Sequence, residues 1–168
     1  MRNRMIFVWA LVCGLSLSAS TAMAADKFAY VDLTKIFSEY NKTKDFDKVL
    51  TEKGTAYTSE KDKKIGEIKQ IQDKMSLLSD KEKDSKKKDL ESKVKSFEEF
   101  DRAKKTDLAK EQDEKMREIL KDIELAVKQY AEKEGYSMVF NDRVLVYQIK
   151  SMDITDKVIE ILNRSYKK

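Results

Sequence analysis

The chain has no histidine and no proline, and only one cysteine and one tryptophan among its 168 residues. Without histidine there is no side chain that exchanges protons near neutral pH unaided, and no imidazole metal ligand. A single cysteine, Cys13, forms neither an internal disulfide nor a Cys-based metal cluster. The four glycines, Gly14, Gly54, Gly66 and Gly135, are scattered, so no glycine-rich loop cradles a phosphate. Carboxylates and lysines abound, but no motif groups them into an acid/base pair. The expectation is a protein that is not an enzyme and carries no cofactor, metal or catalytic residue. The missing proline matters in another way: nothing of that kind interrupts a long helix.

What is present begins with a basic lead, Arg2 and Arg4, then an apolar run from Met5 to Leu17 and the small-x-small sequence Ala22-Met23-Ala24. This is the three-part pattern of a secretory leader, with cleavage expected after Ala24. The apolar core is too short for a spanning anchor, which needs about 20 residues. Bulky Val12 before Cys13 argues against a lipid-anchored start. Removal of residues 1–24 leaves 144 residues with 33 Lys+Arg and 31 Asp+Glu, a formal charge of +2, and no cysteine. An exported chain without disulfides depends on packing or assembly for its stability.

Three short stretches rich in aromatic and β-branched residues read as strands: Phe28–Val31, Tyr136–Phe140 and Val144–Gln148. Asn141, Asp142 and Arg143 would make the last two a hairpin. Three such strands are marginal alone and need helices or other subunits to cover them. Between the first strand and the hairpin lie about a hundred residues of Lys, Glu, Asp, Gln, Leu and Ala with helical spacing. Asp32 would cap the first helix, and Gly135 would end the last in the left-handed region.

The apolar positions of this stretch mirror one another. Met75 with Leu90, Ile71 with Val94, Ile68 with Phe97 and Ile65 with Phe100 all have residue numbers adding to 165. A constant sum is the signature of an antiparallel helical hairpin, here with its turn near residues 82 and 83. Carried further, the register pairs Tyr57 with Leu108 and Phe46 with Ile119. The arm would be about 50 to 55 Å long at 1.5 Å per residue. Its seam is thin between Thr51 and Lys64 and between Asp101 and Lys115, where the two readings are a tolerated polar stretch and a flexible joint. The charged run Ser79–Lys88, with Lys81, Lys83, Lys86, Lys87 and Lys88 against Asp80, Glu82 and Asp84, would form the tip. In the C-terminal stretch, Asp153 or Thr155 would cap a helix whose apolar face holds Ile154, Val158, Ile161 and Leu162.

The expected class is therefore α+β: residues 1–24 a leader, 25–45 and 120–168 a discontinuous body, and 46–119 a hairpin arm. The opening "FAYVDLTKIF", the stretch "GYSMVF" and the closing Asp153-Ile154-Thr155, Val158, Leu162 and Asn163, in this order behind a leader, resemble the Skp/OmpH family of periplasmic chaperones. The residues that carry the likeness cover about sixty positions, and the arm is similar only in length and character.

The resemblance implies a homotrimer whose strands complete one small barrel and whose arms surround a cavity. It implies ATP-independent holding of unfolded outer-membrane proteins in the periplasm. The body packing would come from Phe28, Tyr30, Val31, Met138, Val139, Phe140, Val144, Val146, Ile154, Val158 and Leu162. Tyr57, Met75, Leu77, Leu78 and Leu108 are the expected client contacts, Leu77 foremost because Leu78 better continues the seam. Each of the others is more simply explained as seam packing. The tip lysines are expected to be a solvated turn, with contact to client or to an anionic membrane surface as the sharper reading. Some family members are strongly basic, whereas here residues 79–88 alone account for the mature excess of +2. Nucleic acid is not an expected partner, given the balanced charge elsewhere and the leader. A structural scaffold of the cell envelope is the competing function.

Overall fold

A computed structural model describes residues 26–166, so the expected leader at 1–24 lies outside the described residues. The elements run β1 (Phe28–Val31), α1 (Leu33–Glu39), α2 (Asn41–Met75), α3 (Asp80–Glu134), β2 (Met138–Asn141) and α4 (Thr155–Ser165). Two single turns of 3-10 helix, Asp142–Val144 and Lys150–Met152, lie between β2 and α4.

Helices α2 and α3 form the antiparallel hairpin, and their local signals explain where they begin and end. The Asp32 carboxylate accepts the Lys35 amide at 2.9 Å and starts α1. Gly135, with φ 72°, ends α3, and the Tyr136 amide reaches back to the Ala131 carbonyl at 2.9 Å. The reversal lies at residues 76–79 rather than at 82–83. Its cause is a capping box: the Ser79 side chain takes an α3 backbone amide while Glu82 takes the Ser79 amide at 3.2 Å. The lysine run therefore occupies the first turns of α3 instead of the turn itself. Hydrogen bonding to Ser79 also holds the Glu82 carboxyl below its ordinary value.

The cross-arm register shifts with the turn. Tyr57 meets Phe100 with tilted rings, centroids 6.1 Å apart, and Lys53 pairs with Glu111 at 2.6 Å. Leu108 still lines the same recess as Tyr57. At 1.5 Å per residue α2 is about 52 Å long, as the arm requires.

The first long helix is also broken where unbroken helix was expected. Tyr40 is extended (φ −69°, ψ 122°) and separates α1 from α2. No proline or glycine is involved; the break lets the Tyr40 side chain enter the core.

Strands β1 and β2 are parallel, pairing Phe28 with Met138 and Tyr30 with Phe140. Alternation along each strand then sorts the residues onto two faces. Ala29, Val31 and Val139 face a core built with Ile36, Tyr40, Ile119, Ile123, Ala126, Ile154, Val158 and Leu162. Ile36, Ile119 and Val158 are fully buried, each contributing about 1.5–3 kcal/mol of transfer free energy. The other face carries Phe28, Tyr30, Met138 and Phe140.

The hairpin and third strand expected at 141–148 are not formed among the described residues. Asn141 accepts the Arg143 amide with its own side chain and turns the chain into a 3-10 step, and Arg143 donates to Thr34 at 2.6 Å. Val144 and Val146, expected in the body's packing, stand 68% and 106% exposed in the single chain. A third strand here would sit on the edge of a two-stranded sheet with nothing covering its outer face, which is marginal in water.

Candidate functional site

The arm presents small apolar elements on a charged surface. Tyr57 is half-buried and its hydroxyl donates to the Asp101 carboxylate at 2.6 Å. That hydrogen bond raises the Tyr57 hydroxyl above its ordinary value. Lys105, 2.7 Å from Asp101, and then Tyr57 hold the Asp101 carboxyl below its own. Leu108, Ala56 and Tyr57, with Lys53, Lys104 and Glu111, line a shallow recess of about 310 Å³ between the helices. So Tyr57 and Leu108 mostly pack the seam, and Met75 and Leu78 are half-buried at its end. Leu77 alone of the five stands out, 87% exposed in the turn.

Behind that turn, Lys81, Lys86, Lys87 and Lys88 are exposed and Lys83 is half-buried. Lys86 lies 3.9 Å from Asp89. The tip is thus one bare leucine followed by a basic helix start. Farther down the arm, Val49, Met116 and Leu120 are exposed hydrophobics absent from the expected contacts, and Ile65, expected in the seam, is exposed as well. Met116 and Leu120 were readable: with Ile123 and Val127 they form one spaced stripe that runs from the core out along α3. Ile65 begins the Ile65, Ile68, Ile71, Met75 series of α2, and Val49 belongs to no such stripe.

The thin stretch of α2 has its own local chemistry. Thr51, Thr55 and Thr58 donate their hydroxyls to the carbonyls of Asp47, Thr51 and Gly54, four residues back. Such back-bonding loosens a helix slightly and favours bending. Across the seam the ion pairs Lys53–Glu111 and Lys61–Asp101 substitute for apolar contacts. Exposed pairs of this kind contribute about 0–1 kcal/mol each.

At the root of the arm the electrostatics are tighter. Lys42 is bound by Glu118 at 2.5 Å and Asp122 at 2.6 Å, and the Tyr40 hydroxyl donates to Asp122 at 3.1 Å. Burial pulls the Lys42 ammonium down, but the two carboxylates outweigh it and its pKa is raised. Burial, then the bond to Asp122, pushes Tyr40 up to about 12. Lys115 and Lys42 pull Glu118 down to about 2.

The body supplies the second surface. Tyr30, Val31, Ile154, Val158 and Leu162 are buried in the single chain, and Val139 is half-buried. Phe28, Met138 and Phe140 are instead exposed on the outer face of the sheet, with Phe28 and Phe140 rings 6.3 Å apart. Farther along the chain Val144, Val146, Tyr147 and Ile149 are all exposed. The β1 edge is met by Asp153 through a bridge to Tyr30, with the Ile154 amide donating to the Tyr30 carbonyl at 3.0 Å. Among the described residues β2 pairs only with β1. The body thus shows both an apolar sheet face and an open strand edge. Among the described residues, no group of acidic residues could hold a metal ion, and no helix is long and apolar enough to cross a membrane.

Comparison with known proteins matches this architecture. The chain is 27% identical over 159 residues to the chaperone protein Skp of Pectobacterium atrosepticum, covering 90% of this chain and 96% of the relative. Its fold is similar to the crystal structure of an OmpH-like outer membrane chaperone from Caulobacter crescentus, with a TM-score of 0.75. That likeness spans 86% of this chain and 88% of the other at 13% identity, and so speaks for the fold alone. Residues 27–162 match the family described as outer membrane protein (OmpH-like), and the chain belongs to it.

Proposed function

We propose that this protein is a periplasmic chaperone that holds unfolded outer-membrane proteins, without ATP, in a cavity between the arms of a homotrimer. The observation that carries the reading is the outer sheet face of Phe28, Met138 and Phe140 beside the open β2 edge. A soluble body that exposes both calls for further copies to cover them. Copies gathered about that face would bring several arms together.

Holding then follows from the arm's surface. Leu77 in the turn, Ile65 along the arm and Val49, Met116 and Leu120 nearer its root are small exposed apolar sites on a charged surface, so each gives only weak contact with an unfolded chain. Several weak contacts within one cavity add by effective concentration, yet each releases readily. The Thr51–Thr58 stretch and its facing ion pairs serve as the joint that lets the arm adapt. Lys81, Lys86, Lys87 and Lys88 extend the contact surface at the tip. In this reading residues 1–24 are the export leader, cleaved after Ala24, residues 25–45 and 120–168 the assembling body, and 46–119 the arm.

Two measurements on the mature protein test the proposal. Sedimentation is expected to give a trimer, and light scattering is expected to show that the protein keeps a urea-diluted outer-membrane protein from aggregating. A monomer without effect on aggregation sinks the proposal. The second reading, an envelope scaffold with one partner, draws on the Tyr57–Asp101 and Lys53–Glu111 bridges that close the seam. It requires one saturable partner, whereas the chaperone binds many unfolded chains. Changing Lys86, Lys87 and Lys88 to glutamine decides whether the tip contributes: unchanged client binding and unchanged binding to anionic vesicles leave it as a solvated helix start.

A further inference from the structure

We propose that Asn163 is the residue that fixes the direction in which the arm leaves the body. The break at Tyr40 creates two helix ends one residue apart, and each end leaves backbone groups without a helical partner. Asn163, on α4, serves both. Its side-chain oxygen accepts the Asn41 amide, the first of α2, at 2.8 Å. Its side-chain amide donates to the Glu39 carbonyl, the last of α1, at 3.2 Å. One carboxamide therefore sets the spacing and angle of two helices, and it can do so because it carries an acceptor and a donor side by side.

Asn163 is itself held. It follows Leu162, which is buried in the core, and Val158 anchors the same face of α4 one turn earlier. Around the break, the Tyr40 ring meets Tyr166 edge-on with centroids 5.9 Å apart, and the Tyr40 hydroxyl reaches Asp122. Lys42, just beyond the break, is tied to Glu118 and Asp122 on α3. The joint between α1 and α2 is thus fastened to α4 by Asn163 and to α3 by Tyr40 and Lys42.

The consequence is one of leverage. Helix α2 extends about 52 Å from this point, so a change of ~10° at the root moves the tip by ~9 Å. A fixed root confines bending to the threonine stretch farther along the arm and keeps the mouth of the cavity at a set width. The structural claim stands on the geometry alone; its bearing on client holding rests on the chaperone reading.

Because the mature chain lacks cysteine, paired labels are easily placed. Spin labels at Lys157→Cys on the body and Glu60→Cys on the arm, diluted with unlabelled protein, report the arm's direction. Labels at Glu60→Cys and Lys95→Cys report the arm's interior as a control. In Asn163→Ala the body–arm distance distribution is expected to broaden by a factor of about two, as a lever tens of ångströms long must when its root loses a fixed angle. The control pair stays as in the parent protein. Asn163→Asp, which keeps the acceptor and loses the donor, is expected to fall between. A folded Asn163→Ala with an unchanged body–arm distribution overturns the proposal. Should that variant lose its helical circular dichroism, Asn163→Asp decides on the same criterion, broadening in favour and no change against. Parent protein that fails to hold a client, while the variants still broaden, counts against the chaperone reading and leaves the pivot standing.

Discussion

Leu77 and Ile119 show how little hydrophobicity alone says about a residue's role here. Leu77 sits in the turn, almost wholly in solvent, while Ile119 on the same hairpin is 1% exposed. Truncating Ile119 to alanine removes buried methylene groups and leaves a cavity, so the urea midpoint is expected to fall by an amount worth about 2–5 kcal/mol. Leu77→Ser removes no packing. Its thermal midpoint is expected to match that of the parent, while suppression of client aggregation declines. Unimpaired suppression by Leu77→Ser would remove this residue from the contact surface. Ser79→Ala acts differently again, since it deletes one half of the capping box. It is expected to cost about 1 kcal/mol locally and to speed amide exchange over the first turn of α3, with the body untouched.

Of the elements, the long ones were legible and the short ones less so. Helical spacing over Ile65–Leu78 and Leu90–Phe100 is a signal repeated many times, and the hairpin it foretold is present. The position of its turn rested on mirror pairing alone, although the Ser79-x-x-Glu82 sequence marks a helix start and was readable. The Tyr40 break is different in kind. Its cause is tertiary: a tyrosine drawn into the core and a carboxamide 123 positions away that satisfies the exposed backbone, neither visible in a local window. The strand expected at 144–148 has the right residue types, but composition reports β preference without reporting whether an edge is there to receive it. For the candidate site, Leu77 falls out of phase with the seam and stands 87% exposed, which leaves its contact with a client to the Leu77→Ser test. Met116 and Leu120 are harder to single out, because they continue the stripe that Ile123 and Val127 carry into the core.

The root of the arm also carries a pH signature. Glu118 has its carboxyl lowered to about 2, chiefly by Lys115 and then Lys42. A carboxylate lowered in the folded state stabilises above its unfolded value of about 4.3 and loses that contribution as pH falls toward 2. The Glu118 side chain is 43% exposed, so screening limits the effect to about 1 kcal/mol. The parent protein should therefore exceed Glu118→Gln in urea midpoint at pH 7, with the gap closing between about pH 4.5 and pH 2. Tyr40 works at the other end. Raised to about 12 by burial and by Asp122, it stabilises below pH 10 and loses that contribution as pH climbs to about 12. Tyr40→Phe is expected to flatten that alkaline decline, and an equal decline in both proteins would place its origin elsewhere, with the lysines.

For the molecule as a whole, one chain leaves two structural demands unmet, and both belong to the small sheet of the body. The sheet has only two strands, fewer than an independent sheet needs, and its outer face holds Phe28, Met138 and Phe140. Among the described residues no helix is seen to cover that face, since α1, α3 and α4 contribute to the core on the inner side. A second copy placed on the open edge would meet the first through unlike surfaces, and such a contact either closes into a ring or continues into a fibre. The proposed chaperone requires closure, because a ring of arms would give weak contacts their combined strength. Phe140→Asp places a charge at the centre of this face without touching the inner core. It is expected to yield a smaller species by sedimentation equilibrium, with helical circular dichroism from the arm preserved and client holding lost in parallel. Leu120→Asp, on the arm, is expected to leave the mass unchanged. If Phe140→Asp sediments as the parent does, the outer sheet face is not where the copies meet, and the cavity must be built on another surface.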